Sequence, residues 1–265
     1  MPAARQLLSP PSFGLLGIEP VRAALEYARM RLMRRDRLPA GDGHPIVFFP
    51  GLGAAPRYMR PLIKHCEALG YACYDWGRGR NIGPQGDITP WLATLADDVQ
   101  ALVDHHAQTV TLIGWSLGGL YAREIAKVVP QRIRQVVTIG SPSSRIADST
   151  NAGWLFRLFG GRELRLPRRV TRSLAVAPRV PTTSIYSRSD GVVAWQACRS
   201  VAAPGVENIE VDSSHLGLVW HPDVLRIIAD RLAQRDGRWL PWKAESGAGR
   251  ARGTRTRMGP HRASS

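Results

Sequence analysis

Short, continuous apolar runs alternate with longer amphipathic segments through the middle of the chain. The runs are rich in β-branched residues and lie between turn residues, which is typical of strands buried on both faces of a parallel sheet. Such runs occupy residues 44–49, 71–76, 110–114, 133–140, 182–187 and 208–211. Helical periodicity marks about 57–69, 91–106, 117–129 and 222–234. This alternation predicts an α/β fold with a mostly parallel central sheet and helices on both faces.

Three regions interrupt the alternation. Residues 1–43 have no strand pattern and predict an N-terminal helical extension whose helix starts at Pro20. That helix would either dock on the domain or lie in a membrane interface, and we favour docking. Residues 141–180 are too long for a simple connection, so they predict an insertion that covers the site as a lid or packs away from it. Residues 236–265 form a basic tail, predicted to be disordered, which leaves 44–235 as the α/β domain.

Ser116 lies in the two-residue connection between the strand predicted at 110–114 and the helix predicted at 117–129. The sequence around Ser116 is Gly-Trp-Ser-Leu-Gly, and a Gly-x-Ser-x-Gly pattern between a strand and a helix exposes the serine hydroxyl above the sheet. A Cβ at either glycine would crowd this tight turn. The helix directs its free N–H groups and the positive end of its dipole toward the serine. We therefore predict that Ser116 is a nucleophile.

A serine hydroxyl is a weak nucleophile until a base accepts its proton and a carboxylate orients that base. With a serine of this type, the carboxylate and then the histidine follow it along the chain. After Ser116 the histidines are His215, His221 and His261, and His261 lies in the tail. His215 is in a loop directly after the last predicted strand and is the predicted base. His221 precedes a proline at a helix start and is predicted to cap that helix.

The carboxylate is predicted to be Asp190, which directly follows the strand at 182–187 and precedes a glycine. Asp212 is only three residues from His215, so it is poorly placed to reach the far nitrogen of that ring. Asp148 falls in the insertion, before the strand. The alternative for Asp190 is a plain turn aspartate, because Asp-Gly is a common turn pair.

Backbone N–H groups are predicted to form the oxyanion hole. One belongs to Leu117, the residue after the serine, and the other to Leu52, in the glycine-rich loop after the first strand. Apolar surface for an acyl chain is predicted from four aromatic residues near the mouth of the site. They are Trp115, Trp154, Phe156 and Phe159.

Four motifs occur in one order along the chain. They are Phe-Phe-Pro-Gly-Leu-Gly at 48–53, Gly-Trp-Ser-Leu-Gly-Gly at 114–119, Ser-Asp-Gly-Val-Val at 189–193 and Ser-Ser-His-Leu-Gly-Leu at 213–218. Over about residues 44–235 the chain thereby resembles the bacterial lipase and esterase branch of the α/β-hydrolase superfamily. The resemblance implies an α/β-hydrolase fold with a cap or lid insertion, and a serine hydrolase that cleaves carboxylic esters through an acyl-enzyme. Those lipases usually carry His-Gly before the oxyanion residue, whereas this chain has Pro50-Gly51, so a side chain that often braces the loop is missing.

Length and composition bear on the number of domains, the state of the cysteines and the location of the protein. A length of 265 residues with 44% hydrophobic content suits one large α/β domain. Cys66, Cys73 and Cys198 are too few and too irregular for a disulfide framework, so we expect reduced thiols. No run of about 18 apolar residues and no secretory-signal pattern is present, which predicts a cytoplasmic protein. No metal-ligand cluster is apparent, and the predicted chemistry needs no metal or cofactor.

The net charge of +15 is unusual, and nearly all of it is arginine. It reflects either a bias toward arginine codons, which we favour, or attraction to an anionic surface. The leading hypothesis is an esterase or lipase for small acyl esters or lipid-like substrates, and thioesterase or acyltransferase chemistry would use the same residues. The rival is a non-catalytic hydrolase-fold protein that binds an anionic membrane or nucleic acid. Peripheral contact with an anionic membrane is compatible with either, and nucleic acid is the less favoured partner.

Overall fold

The computed structural model of the protein describes residues 11–34, 38–143, 173 and 176–243. Its sheet consists of β1 (Pro45–Phe49), β2 (Ala72–Asp75), β3 (Val110–Trp115), β4 (Ile133–Ile139), β5 (Thr182–Ser187) and β6 (Val206–Val211). The strands lie in the order β2-β1-β3-β4-β5-β6, and every neighbouring pair is parallel. The α/β class and the parallel sheet predicted from the apolar runs are confirmed.

Helices cover both faces of this sheet. They are α1 (Phe13–Arg31), α2 (Pro56–Ala68), α3 (Ile88–His106), α4 (Leu117–Val128) and α5 (Pro222–Leu232). Side chains alternate between the two faces of a strand, so Val47 and Phe49 of β1 pack with α3 and α4. Ile46 and Phe48 of the same strand pack on the other face, with α2 and α5. Burial on both faces explains why the strands are continuous apolar runs.

The strand order reverses between β1 and β3. In parallel sheets the loops at the carboxyl ends of such neighbours diverge and leave a crevice for a ligand. Phe49, the last residue of β1, pairs with Gly114 of β3. The loop that follows β1 is therefore next to the turn at Ser116, as a shared site at this edge requires.

The N-terminal helix starts earlier than its proline suggests. α1 begins at Phe13, because Ser12 caps it with a side-chain oxygen that accepts from Leu15 N at 3.3 Å. Pro20 lies inside the helix, so the predicted start at Pro20 is wrong. The predicted docking is confirmed, since Glu19, Ala23, Glu26 and Met30 are buried against the domain.

Two further predictions fall largely outside the described residues. Of the predicted insertion at 141–180, the structure describes only 141–143, 173 and 176–180, so the proposed lid lies outside them. The same holds for residues 244–265 of the predicted tail. Within the described ranges, no helix combines the length and apolarity needed to cross a membrane. The three cysteines carry free thiols, with Cys66 and Cys198 buried and Cys73 half-buried.

Candidate active site

Ser116 occupies a strained turn between β3 and α4. Its backbone has φ 53° and ψ −124°, a conformation that residues with a side chain rarely adopt. The neighbouring glycines permit this turn. A Cβ on Gly114 would lie 2.4 Å from the Gly118 carbonyl oxygen, and a Cβ on Gly118 would lie 2.1 Å from the Phe49 carbonyl oxygen. The predicted crowding at both glycines is therefore confirmed.

The hydroxyl of Ser116 is not used to hold the helix that follows it. Ser116 precedes the first residue of α4, yet its side chain makes no capping hydrogen bond. Its backbone N–H donates to the Ile139 carbonyl oxygen at 2.9 Å, which ties the turn to the end of β4. The N–H of Leu117 starts α4 and has no acceptor within the helix. A half-buried hydroxyl thus stands at the positive end of a helix dipole.

Asp190 and His215 form a buried pair. The Oδ2 atom of Asp190 lies 2.7 Å from Nδ1 of His215, and both side chains are almost completely buried. The other carboxylate oxygen accepts from the backbone N–H groups of Val192 at 2.8 Å and Val193 at 2.7 Å. These contacts fix the carboxylate of Asp190. Because the carboxylate is bonded to Nδ1 of the imidazole, Nε2 is left for a reacting group. The loops that carry the pair follow β5 and β6, at the same edge of the sheet as Ser116.

The competing residues have other partners. His221 is the residue before α5, and its Nδ1 accepts from the Asp223 N–H at 3.2 Å, so the predicted cap is confirmed. The side chain of Asp212 is 87% exposed and forms an ion pair with Arg22. Asp148 lies outside the described residues. Among the candidates that the structure describes, the pair beside the serine turn is Asp190 and His215.

The surroundings of His215 favour its protonated form. Burial lowers the pKa of His215, but the charge of Asp190, their hydrogen bond and the charge of Glu19 together outweigh it. The pKa therefore lies above the ordinary value of 6.5. A ring that gains a proton readily in this position is suited to act as a general base.

The loop after β1 approaches the serine closely. A Cβ on Gly51 would lie 2.9 Å from the Trp115 ring and 3.1 Å from Cβ of Ser116, so Leu52 follows a residue that already contacts the serine. The brace of this loop is Asn81, which the sequence analysis does not single out. Its side-chain amide donates to the Pro50 carbonyl oxygen at 2.7 Å, and its backbone bonds to Gly53 and Ala54.

Trp115 supports the site from below. Its ring is 4% exposed and stacks on Tyr58 with 4.8 Å between ring centroids. Its indole N–H donates to the His215 carbonyl oxygen at 3.2 Å. The ring therefore belongs to the core and does not supply the exposed apolar surface predicted for it at the mouth. The other predicted pocket residues, Trp154, Phe156 and Phe159, lie outside the described residues.

Two glutamates of α1 contact the loops of the Asp190–His215 pair. Glu19 accepts from the backbone N–H groups of Gly191, His215 and Leu216. Glu26 accepts from both the N–H and the hydroxyl of Ser214. Sequence reasoning missed both residues. The available signal was a Glu-x-x-Arg-x-x-x-Glu spacing, which places Glu19, Arg22 and Glu26 on one face of a helix.

Comparison with known proteins adds a family to this geometry. The profile of the Alpha/beta hydrolase family matches residues 46–262. A pimeloyl-(acyl-carrier protein) methyl ester esterase of Shewanella woodyi is 32% identical over 102 residues, which cover 38% of this chain and 37% of that protein. The esterase of the same name from Photobacterium profundum is 35% identical over 116 residues, 43% of each chain. The matched stretch thus spans only about two fifths of these relatives.

A solved structure resembles the chain over a greater length. The lipase BlEst2 of Bacillus licheniformis in its mature form superposes with a TM-score of 0.57 at 16% identity, covering 74% of this chain and 94% of that one. At that identity the likeness concerns the fold. The family match begins at residue 46, inside β1, so α1 and its glutamates lie before it.

Proposed function

The chain belongs to the alpha/beta hydrolase family, and from this premise we propose that it is a serine hydrolase of carboxylic esters. The substrates would be acyl or lipid-like esters, cleaved through an acyl-enzyme. The observation that carries the proposal is the buried Asp190–His215 hydrogen bond of 2.7 Å at the edge of the sheet where Ser116 sits in its strained turn. The esterase names of the two curated relatives support the ester class.

In the proposed first step, Ser116 attacks the carbonyl carbon of the ester. His215 accepts the hydroxyl proton at Nε2, because Nδ1 is already bonded to Asp190. Asp190 holds the ring in this tautomer and stabilises the imidazolium that forms. The same proton then passes to the departing alcohol, and the acyl group stays on the serine oxygen.

Backbone N–H groups would stabilise the oxyanion of the tetrahedral intermediate. Leu117 supplies one from the start of α4, and Leu52 supplies the other from the loop after β1. Asn81 is proposed to keep that loop in place. It would thereby replace the bracing side chain that the Pro50-Gly51 motif lacks. In the second half of the reaction, water attacks the acyl carbon while His215 accepts its proton. The bond between the acyl carbon and the serine oxygen then breaks, His215 returns the proton to Ser116, and the acid leaves.

Labelling with a fluorophosphonate probe, alongside turnover of p-nitrophenyl esters of increasing chain length, tests this proposal. Ser116→Ala should abolish labelling and reduce turnover by at least about 10³-fold. The matched control is Thr109→Ala, which removes a hydroxyl just before the opposite end of β3, where it bonds to Asp236. That variant should behave as the wild type.

The same assay separates the related reactions. Faster turnover of a thioester than of the matching oxygen ester would favour a thioesterase, and acyl transfer to an added alcohol in place of water would favour an acyltransferase. If the folded wild-type protein neither labels nor turns over any of these esters, the hydrolase proposal is wrong. A non-catalytic binding protein would then be the better account.

A further inference from the structure

The face of α1 that packs against the domain carries two carboxylates beside the apolar Ala23 and Met30. Its buried residues include Glu19, at 2% exposure, and Glu26, at 4% exposure. Buried carboxylates are costly unless their oxygens find donors. Both glutamates find donors in the loops of the candidate site. We propose that Glu19 and Glu26 are positioning residues for Asp190 and His215, a role that rests on the proposed function.

Glu19 joins the two loops that carry the pair. One carboxylate oxygen accepts from Gly191 N at 2.8 Å and from His215 N at 2.9 Å. The other accepts from Leu216 N at 3.0 Å. Gly191 follows Asp190 directly, so a single side chain fixes the backbone beside the carboxylate and the backbone of the base. Three hydrogen bonds to a charged acceptor are strong compared with neutral ones.

Glu26 holds the preceding residue of the same loop. Its oxygens accept from Ser214 N at 2.8 Å and from the Ser214 hydroxyl at 2.6 Å. The Ser214 hydroxyl in turn accepts from Gly217 N at 3.0 Å. The loop after β6 is thus anchored on both sides of His215 by carboxylates from a helix nearly 200 residues away in the sequence.

The loops that carry Asp190 and His215 have glycines where α1 approaches them. A Cβ on Gly191 would lie 2.6 Å from the Leu15 backbone, and a Cβ on Gly217 would lie 1.6 Å from a carboxylate oxygen of Glu26. A side chain at residue 191 would meet the backbone of α1, and one at residue 217 would displace the Glu26 carboxylate from its place. The loops and the helix therefore fit one another, which a helix merely resting on the surface would not require.

Glu19 also acts on His215 through its charge. The charges of Asp190 and Glu19 both favour the imidazolium. Removal of the charge on Glu19 should therefore make His215 a weaker base, beyond any change in its position. The titratable and charged groups around the loop include Asp190, Glu19 and Glu26. Arg22 lies 3.9 Å from Glu26 and pairs with the exposed Asp212 at 3.1 Å, and the Tyr58 hydroxyl donates to the Leu216 carbonyl oxygen.

The test compares Glu19→Gln, Glu19→Asp and the control Glu67→Gln on the full chain. Glu19→Gln keeps one acceptor oxygen but places its amide NH₂ group, a donor, against an N–H group of the loop. The kcat should therefore fall about 10- to 100-fold. KM should change less, and the acid limb of kcat/KM should move to lower pH. Glu19→Asp keeps the charge without the reach, so kcat should fall while the acid limb stays. Glu67 is exposed on α2, and Glu67→Gln should match the wild type.

Each outcome decides the proposal. It is overturned if Glu19→Gln retains both the wild-type kcat and the wild-type acid limb. It is also overturned if activity falls only in proportion to the loss of folded protein, with the acid limb unmoved. If Glu19→Gln does not fold, Glu26→Gln decides, with a fall in kcat of about fivefold expected and an unchanged kcat contradicting it. Failure of Ser116→Ala to abolish turnover would instead contradict the proposed function.

A second inference follows from the opposite side of α1. The outward face of α1 consists of Gly14, Ile18, Val21, Leu25, Ala28 and Leu32, all exposed. Its large side chains are 48% exposed at Ile18, 64% at Val21, 58% at Leu25 and 84% at Leu32. A surface helix normally turns polar residues outward. This helix does the reverse, so its apolar stripe faces away from the domain.

Positive charge lies beside the outward face. A groove of about 550 Å³ between α1 and α2 is lined by Arg31, Arg57, Arg60 and Lys64, and none of its described lining residues is acidic. A second copy of the chain would bring the same positive charge to this surface, which disfavours self-association. An apolar helix face with cations at its side matches a bilayer with anionic headgroups. We propose that the outward face of α1 docks on an anionic lipid membrane.

Sedimentation with vesicles of phosphatidylcholine alone, or with added phosphatidylglycerol, tests the docking. The wild type should bind only the anionic vesicles. The double variant Val21→Ser/Leu25→Ser should bind them at least about tenfold more weakly. The matched control Val128→Ser/Val201→Ser removes two valines that are 58% and 63% exposed elsewhere, and it should bind as the wild type.

Three results would overturn the docking. The first is a wild type that does not bind anionic vesicles. The second is unchanged binding by Val21→Ser/Leu25→Ser, which would show that the binding depends on net charge alone. The third is found by light scattering, if the wild type is a dimer and Val21→Ser/Leu25→Ser is a monomer. The outward face would then be a self-association surface. Arg57→Gln/Arg60→Gln should weaken binding about fivefold per charge removed, and unchanged binding would remove the groove from the proposal.

Discussion

The turn at Ser116 and the loop at His215 are held in different ways. The serine turn is held by close backbone contacts: its glycines lie against one another and against the end of β1, and the Ser116 N–H donates to the Ile139 carbonyl oxygen at the end of β4. The histidine loop donates hydrogen bonds to the carboxylates of Asp190 and of Glu19 and Glu26 in α1. One part of the site is fixed by close backbone contacts with neighbouring strands, and the other by buried carboxylates, two of which come from α1.

This difference separates two requirements for catalysis. A nucleophile on a strained turn needs a backbone that cannot relax to another conformation. Glycines allow the close backbone contacts that hold the turn in this conformation. A general base needs a ring held in place with its charge balanced, and buried carboxylates provide that. The family profile covers the serine turn and the histidine loop but not α1. The carboxylates around the base thus include two that lie outside the family match.

The largest effect is expected at the serine turn. Gly118→Ala places a Cβ 2.1 Å from the Phe49 carbonyl oxygen, and no flexible atom there can move aside. Turnover should fall by at least about 10³-fold, comparable with loss of the nucleophile, and the thermal midpoint should drop. Gly17→Ala on the exposed side of α1, where nothing lies within 4 Å, should keep wild-type turnover. Full turnover by Gly118→Ala would contradict the account of the turn.

A smaller effect is expected where α1 meets the histidine loop. Gly217→Ala puts a Cβ 1.6 Å from a Glu26 carboxylate oxygen, so Glu26 or the loop must move. The kcat should fall about 10- to 100-fold, and trypsin should cleave α1 faster at Arg29 or Arg31. Because the clash involves Glu26, the effects of Gly217→Ala and Glu26→Ala should not add in the double variant. Additive effects would contradict a direct contact.

The strands, the sheet and the candidate triad were open to prediction because each leaves a local pattern. The parallel strands are apolar runs, the turn at Ser116 has its glycine spacing, and His215 follows the last strand. The spacing of Glu19, Arg22 and Glu26 marks one face of α1, but it does not indicate which part of the chain this face contacts, since Glu19 and His215 are separated by 196 residues. Several of the large apolar residues of α1 are exposed and its two glutamates are buried, against the usual pattern of an amphipathic helix.

Asn81 shows the same limit on the oxyanion side. It lies in a loop of glycine and arginine with no periodic pattern, yet it is fully buried and spans residues 50–54 through its amide and backbone. Only the three-dimensional path of the loop brings it to Pro50. The sequence predicts that the bracing side chain before Gly51 is missing, and in the structure Asn81 makes hydrogen bonds to this loop instead.

Loss of the Asn81 brace should cost less than loss of the α1 contacts. Asn81→Asp keeps the size of the side chain but replaces the donor to the Pro50 carbonyl oxygen with a second acceptor. The kcat should fall about tenfold, within the range measured for an unpaired buried acceptor. KM for a short ester should change little. A wild-type kcat with an unaltered thermal midpoint would show that the loop holds its shape without Asn81.

The smallest effect concerns pH. His215 must be neutral to accept a proton, and its pKa lies above 6.5 because Asp190 and Glu19 favour the imidazolium. Activity should therefore fall as the pH drops through a value above 6.5, and it should be full on the alkaline side. Rate profiles of kcat/KM from about pH 5 to 9 measure this limb. A flat profile, or a limb well below 6.5, would contradict the assigned base.

The central claim is that an acyl group passes through Ser116, and trapping that intermediate tests it most directly. A brief reaction with a p-nitrophenyl ester, quenched in acid and digested with trypsin, releases the peptide of residues 81–123 that contains the serine. The account predicts an added mass of one acyl group on this peptide, localised by fragmentation to Ser116. Turnover without acylation of Ser116, or an acyl group on another residue that Ser116→Ala leaves in place, would contradict it.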